Sequence, residues 1–330
     1  MKRRNFLGLI GGAAASVPLA VRAQQSERPR RVGVLMAFAQ SDAGWQRSTV
    51  IFQEALEGLG WVQGRNLQIE YRWGEADSGR IQRYATELAE LQPDVILGQA
   101  TVSIAALQKA TRAIPVVFVN VSDSIGSGFI ESQAHPGGNI TGFSNFEPAI
   151  GGKWVEYLKE IAPQVRRIAF MYNPDTSPQV KSYLPSIESA ARSLGLQLMA
   201  SPVRDNAEIE RTIEAIGREA GSGLVLPSDV FTFTHRDLII ELANQHRLAA
   251  VYPFGEFARS GGLISYGVDL ISQFGQAAPY VDRILKGEKA GELPVQAPTK
   301  FELIVNVKAA KALGLDVPQT LFARADEVIE

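Results

Sequence analysis

The residues in this chain that could do chemistry are short, polar and placed repeatedly just after apolar runs. "RVGVLMA" is followed, after Phe38, by "AQSDAGW", "PDVILG" by "QATVS", and "IPVVFV" by "NVSDSIGSG". Further along, the corresponding segments are "NPDTSP", "PSDVFTFTH", "YPFGEF" and "SYGVD". A helix N-terminus carrying Ser or Thr presents free N–H groups and favours a carboxylate. Asp123, Asp175 and Asp229 offer carboxylates to an ammonium, while Tyr252, Phe254 and Tyr266 offer apolar walls. That combination suits a small zwitterion such as an amino acid. Each of these residues taken singly also reads as an ordinary N-cap, and Asn173-Pro174-Asp175 as an ordinary turn. The recurrence at most strand ends is what points to binding.

The motifs of common catalytic chemistries do not occur. The sequence contains no G-x-x-x-x-G-K-[ST] phosphate loop, no G-x-S-x-G nucleophile elbow and no H-E-x-x-H zinc helix. "GSG" at Gly126 to Gly128 lacks the strand–turn–helix spacing of a dinucleotide site. The three histidines suit surface or capping roles: His135 sits in a Pro-Gly-Gly turn, and His246 closes a helix beside Arg247. With no cysteine in the chain there is no disulfide and no thiol nucleophile. The expectation is a binding protein that needs neither cofactor nor metal, not an enzyme.

The elements that must position the polar segments alternate. "RVGVLMA" is an apolar strand, and Phe52, Leu56 and Leu59 mark one face of the following helix, with Gly60 where a left-handed C-terminal cap belongs. "NLQIEYRW" is a strand, and Ile81, Tyr84, Ala85, Leu88 and Leu91 form a helical stripe. "PDVILG", a helix over 101–112 and "IPVVFV" continue the series. "RRIAFMYN" then starts it again, with helices over 185–194, 208–219 and 238–246 between the strands "LQLMASPV", "SGLVLPS", "AAVYP" and "GGLISYG". In both halves the first helix ends in Leu-Gly and leads to the second strand. Strands alternating with helices imply parallel sheets covered on both faces. Two tandem α/β lobes, each doubly wound, is the economical fold, with one large sheet as the alternative. The break falls near Pro148, in "NFEPAIGG".

The N-terminus has the three-part build of an export signal over residues 1–23. A cationic head (Lys2, Arg3, Arg4) precedes an apolar Gly/Ala-rich run, and Val21-Arg22-Ala23 ends in a small residue. A spanning anchor would need roughly 20 apolar residues, more than this run provides. The paired arginines before Phe6-Leu7 resemble a twin-arginine signal. Cleavage at Ala23 removes four positive charges and no negative ones, taking the formal charge from −2 to −6. So acidic a chain is a poor partner for nucleic acid.

"HPGGNITGFSNFEPAIGGKWVEYLKEIAP", "YPFGEFARSGGLISYGVDL" and the ending "APTKFELIVNVKAAKALGLDVPQTLFARADEVIE" resemble the ABC-transporter substrate-binding proteins of the tryptophan/tyrosine-binding-like family. The likeness runs from about Arg31 to the C-terminus. It implies the type I periplasmic-binding-protein architecture, two α/β lobes joined by three crossovers and closing on a small ligand. Residues 30–147 plus 268–297 would form lobe 1, and 148–267 plus 298–330 lobe 2. Matching strand-end positions suggest Ser41, Gln99, Thr101, Ser103 and Asp123 from lobe 1, with Asn173, Asp229, Tyr252 and Tyr266 from lobe 2. The implied protein is a monomer in the periplasm. Its partners are a small-molecule ligand, such as an amino acid or aromatic acid, and an inner-membrane ABC permease with its ATPase. A sensing module for a membrane signalling protein, or an exported α/β enzyme, are the other classes the sequence leaves open.

Overall fold

The computed structural model of the protein describes residues 28–147 and 149–330. Residues 1–23, expected from the sequence to be an export signal, and Pro148, beside the expected break between lobes, lie outside the described residues. The chain opens with β1 (Arg30–Met36), α1 (Ala43–Gly58), β2 (Leu67–Trp73), α2 (Ser78–Glu90), β3 (Val95–Gln99), α3 (Ala100–Ala110), β4 (Val116–Val121) and β5 (Ile140–Ser144). These strands make a five-stranded sheet in the order β2-β1-β3-β4-β5, parallel throughout.

The second half begins with α4 (Ile150–Ile161), β6 (Arg167–Tyr172), α5 (Val180–Ser193), β7 (Gln197–Pro202), α6 (Asn206–Gly217) and β8 (Ser222–Val225). It continues through α7 (Val230–Thr234), α8 (Arg236–Gln245), β9 (Ala249–Tyr252), α9 (Gly255–Arg259) and β10 (Ile264–Gly267). Then α10 (Ser272–Leu285) packs back on the first sheet, against α1, β4 and β5. The chain finishes with β11 (Glu302–Asn306), α11 (Val307–Leu313), α12 (Gln319–Phe322) and β12 (Glu327–Ile329). The second sheet has seven strands in the order β12-β11-β10-β9-β8-β6-β7.

The local signals for these elements are physical and repeated. Asp42, Asp77 and Asp205 cap α1, α2 and α6 by accepting from the first free N–H groups, for example Gly44 N at 2.9 Å and Arg80 N at 2.6 Å. The two Leu-Gly endings are equivalent. Gly60 (φ 94°) and Gly195 (φ 65°) turn left-handed, and the next residue donates back, Trp61 N to Leu56 O at 3.0 Å and Leu196 N to Ala191 O at 2.8 Å.

The second sheet is mixed, where alternation alone predicts a parallel one. Strands β6 to β10 run parallel, but β11 is antiparallel to β10. The path of the chain explains this. After α10 the chain returns beside β5, with Gln296 N donating to Gly142 O at 2.9 Å and Ser144 N to Gln296 O at 2.8 Å. It therefore enters the second sheet from the end where β10 finished, and must run the other way.

Candidate functional site

The C-terminal ends of the two sheets meet face to face. Tyr183 on α5 donates to Ser122 Oγ after β4 at 2.8 Å, and Ser122 Oγ reaches Asn145 Oδ1 at 2.7 Å. Asn145 Nδ2 in turn lies 3.4 Å from Ser228 Oγ after β8. Ser182 donates to Asp123 Oδ2 across the same seam. On the other flank Arg236 of α8 pairs with Asp42 at 3.2 Å. Burial pushes the Tyr183 phenol up, so it stays protonated and able to donate.

Between these flanks lies an aromatic contact. Phe38 stacks on Trp45 at 4.5 Å, and Phe233 of α7 meets them at 5.1 and 5.6 Å. A pocket of about 240 Å³ opens beside it, lined by Asp42, Trp45, Phe233, Arg236, Glu256 and Arg259 among others. Burial pushes the Glu256 carboxyl up, ahead of the lowering pull of Arg259 and Arg236. The pocket does not extend to Gln99 or Asn120, which are sealed at 0% and 5% exposure.

On the first sheet Gln99 ends β3. Its Oε1 accepts from Ala37 N at 3.3 Å and its Nε2 is buried without a partner. Ser103, one turn into α3, is buried with a free Oγ. Thr101 is used internally: its Oγ1 accepts from Ser122 N at 3.0 Å, tying the start of α3 to the loop after β4. Asp123 holds its own turn through Gly126 N at 2.9 Å as well as the seam through Ser182. Ser41 is exposed on the loop before α1, outside the sealed region.

On the second sheet Asp229 organises the strand ends. It accepts from Asn173 N (2.8 Å), Thr176 Oγ1 (2.6 Å) and Phe231 N (3.1 Å), and it caps α7. Burial raises its carboxyl above the ordinary range, against the pull of those bonds. Asn173 spends its Oδ1 on Asp175 N at 2.8 Å.

The two tyrosines stand elsewhere. Tyr252 is 1% exposed and stacks on Phe257 at 4.8 Å in the core under α9. Its ring edge fills the space at Gly262, where a Cβ would lie 2.7 Å away. Tyr266 packs on Tyr157 at 5.0 Å and Phe301 at 5.6 Å, against α4. Strand alternation turns both rings toward a helix layer and away from the strand end: Tyr252 is buried under α9, and partly buried Tyr266 lies against α4.

Sequence reasoning missed Asn120, Gln179, Trp45 and Phe233. Asn120 is buried with both amide atoms unpartnered. Gln179 Nε2 donates to Ser228 O at 2.7 Å, leaving Oε1 free, and the Trp45 indole N–H is also buried without a partner. The signal for Asn120 and Trp45 was their place, first after "IPVVFV" and last in "AQSDAGW". No cluster of three His, Cys, Asp or Glu that could hold a metal occurs among the described residues, and no helix among them is long and apolar enough to cross a membrane.

Two facing α/β sheets with unpartnered polar groups sealed at their meeting strand ends define a solute-binding protein. The family model for ABC transporter substrate binding proteins matches residues 34–329, and the chain belongs to that family. It is a family of non-catalytic binding proteins. A conserved domain protein from Vibrio cholerae superposes with a TM-score of 0.83 at 27% identity, covering 91% of this chain and 100% of that one. The ABC domain in complex with L-Trp from Streptococcus pneumonia gives 0.82 at 23% identity with the same coverage. A Tyrosine-binding protein of Clostridioides difficile is 24% identical over 279 residues, 84% of this chain and 80% of that protein.

Proposed function

We propose that the protein is a periplasmic receptor that captures a small amino acid or aromatic acid between its lobes and delivers it to a membrane permease and its ATPase. The moving units are residues 30–147 plus 268–297 and residues 148–267 plus 298–330, and the leader over 1–23 carries the chain across the inner membrane. The observation that carries this reading is the set of buried, unpartnered atoms at the seam: Gln99 Nε2, Asn120 Nδ2 and Oδ1, Gln179 Oε1 and Trp45 Nε1. Buried polar groups without partners are rare in folded proteins, and several together mark a place where something else completes them. The named Trp and Tyr ligands of two relatives support an aromatic amino acid.

Of the strand-end residues, Gln99, Ser103 and Asn120 are the proposed ligand contacts. Thr101, Asp123, Asn173 and Asp229 shape the loops around them. Ser41, Tyr252 and Tyr266 are outside this set. Closure follows from linkage: only the closed arrangement lets both lobes satisfy one ligand, so binding shifts the population toward it. A micromolar ligand supplies about 8 kcal/mol, part of which offsets the cost of closing.

A thermal-shift and tryptophan-fluorescence screen against amino acids, aromatic acids and other small solutes tests the reading. A raised melting temperature with a change in Trp emission is expected, since Trp45 lies at the seam. A screen in which no solute produces either change contradicts it.

A further inference from the structure

The flank of the seam carries a carboxylate that nothing balances. Glu256 stands in the first turn of α9 and makes no ion pair among the described residues. Its charged neighbours are spent elsewhere. Arg236 of α8 pairs with Asp42 at 3.2 Å, and Arg259 of α9 pairs with Glu327 at 2.7 Å and Glu302 of β11 at 3.7 Å. Asp269 caps the start of α10, accepting from Ile271 N at 2.9 Å and Ser272 N at 3.2 Å.

Two pockets open onto Glu256, and lobe 1 walls both. The one beside Trp45 is bounded on that side by Asp42, Gly44 and Trp45. A second, of about 330 Å³, shares Glu256 and Arg259 with it and is bounded by Arg47 and Ile51 of α1. The meeting of the lobes therefore helps to bury Glu256, and burial pushes its carboxyl up, ahead of the lowering pull of Arg259 and Arg236 and with the raising push of Asp269. Burying an unpaired carboxylate costs free energy that protonation removes.

Separating the lobes reverses both conditions. Glu256 regains water, and Asp42 leaves Arg236, so that Glu256 becomes the acid across the pocket from that guanidinium on its own lobe. Asp237, 3.8 Å from Arg236, is exposed to solvent already. Arg47 acts in the opposite sense, but it is exposed, and an exposed charge is screened by salt.

We infer that closing the lobes takes up a proton at Glu256, so that the closed arrangement is favoured as pH falls. This rests on the two-lobe closure proposed above and adds its control by the acidity of the surroundings. The closed state holds the proton more tightly than the open state. Its advantage is complete below the open-state pKa and is lost as pH rises through the closed-state value, a window that begins near the ordinary carboxylate value of 4.5 and extends upward.

Pulsed electron-spin distance measurement on the full mature chain, with no solute added, tests it. Spin labels go on Val50→Cys in α1 and Gln245→Cys at the end of α8, both exposed. The ratio of short to long distances is expected to rise at least about threefold from about pH 8 to about pH 5. Glu256→Gln and Glu256→Ala, introduced separately into the labelled protein and with unchanged circular-dichroism spectra, should each abolish most of that rise. Asp229 and the histidines are common to all three proteins, so the difference reports Glu256. A ratio that does not change with pH in the labelled protein, whether mainly open, mainly closed or mixed, overturns the inference. An equal rise in both variants does the same. Neither result bears on solute capture, which the solute screen judges separately.

Discussion

The two faces that meet at the seam are built on the same plan and finished differently. On the second sheet the main polar groups at the strand ends are spent inside the lobe, with Asp229 taking three donors, Asn173 holding Asp175 and Gln179 Nε2 holding Ser228 O, while Gln179 Oε1 and Ser265 Oγ stay unpartnered. On the first sheet Gln99, Ser103 and Asn120 keep free atoms while buried. Backbone strain follows the same division. Ala100, Asn120 and Asp123 are left-handed non-glycine residues after the first sheet's strands, and among the described residues none stands at the C-terminal end of a strand in the second sheet. The second face is a pre-assembled surface, and the first is an unfinished one. An unfinished surface costs stability that a ligand can restore, so under the proposed function recognition would belong mainly to lobe 1 and closure to lobe 2.

The largest test of this contrast is in lobe 2. Asp229→Ala strands Asn173 N, Thr176 Oγ1 and Phe231 N together, and should lower stability by about 2–3 kcal/mol in urea unfolding. Affinity measured on the folded fraction should change less than stability does. The mirror experiment in lobe 1 is Gln99→Leu. It removes an unpartnered donor along with one weak bond to Ala37 N, so stability should stay within about 1 kcal/mol of wild type while affinity falls about tenfold or more. A Gln99→Leu protein that is strongly destabilised but binds normally would erase the distinction.

A smaller effect is expected at the seam itself. Tyr183→Phe deletes the hydroxyl that bridges to Ser122 and should weaken the closed state by about 1 kcal/mol, seen as roughly fivefold weaker apparent affinity. The smallest is a pH effect at Asp229. Its folded pKa is raised by burial, so the folded state holds the proton more tightly than the unfolded chain does. That contribution is complete below the unfolded value of about 4 and is lost as pH rises through the folded pKa. Wild-type stability relative to Asp229→Asn should therefore fall as pH rises above that point and then level off, as followed by thermal unfolding across a pH series.

The architecture was legible in the sequence because its signals are local. The paired Leu-Gly helix endings and the compact strands "RVGVLM" and "RIAFMY" report on their own neighbourhoods. The direction of β11 was not legible, since it depends on where the returning chain lies beside β5. The site was half legible. Polar residues at strand ends could be found, but whether each is spent on its own lobe is a tertiary fact. Thr101 and Asp229 look like Gln99 and Asn120 in sequence, and only their partners separate them. For Tyr252 and Tyr266 the sequence does not say which way the ring points, and the rings pack on Phe257 and on Tyr157 and Phe301.

The central claim is that the faces close on a solute held chiefly by lobe 1, and a distance measured across the seam tests it most directly. The chain has no cysteine, so label pairs can be introduced at exposed Ser41 and Asp237, beside the Asp42–Arg236 contact, without background labelling. With a solute shown by calorimetry to bind, the label separation should shorten to a single narrow distribution, and Gln99→Leu should shift that response to higher solute concentration. The same separation with and without a bound solute would contradict the account.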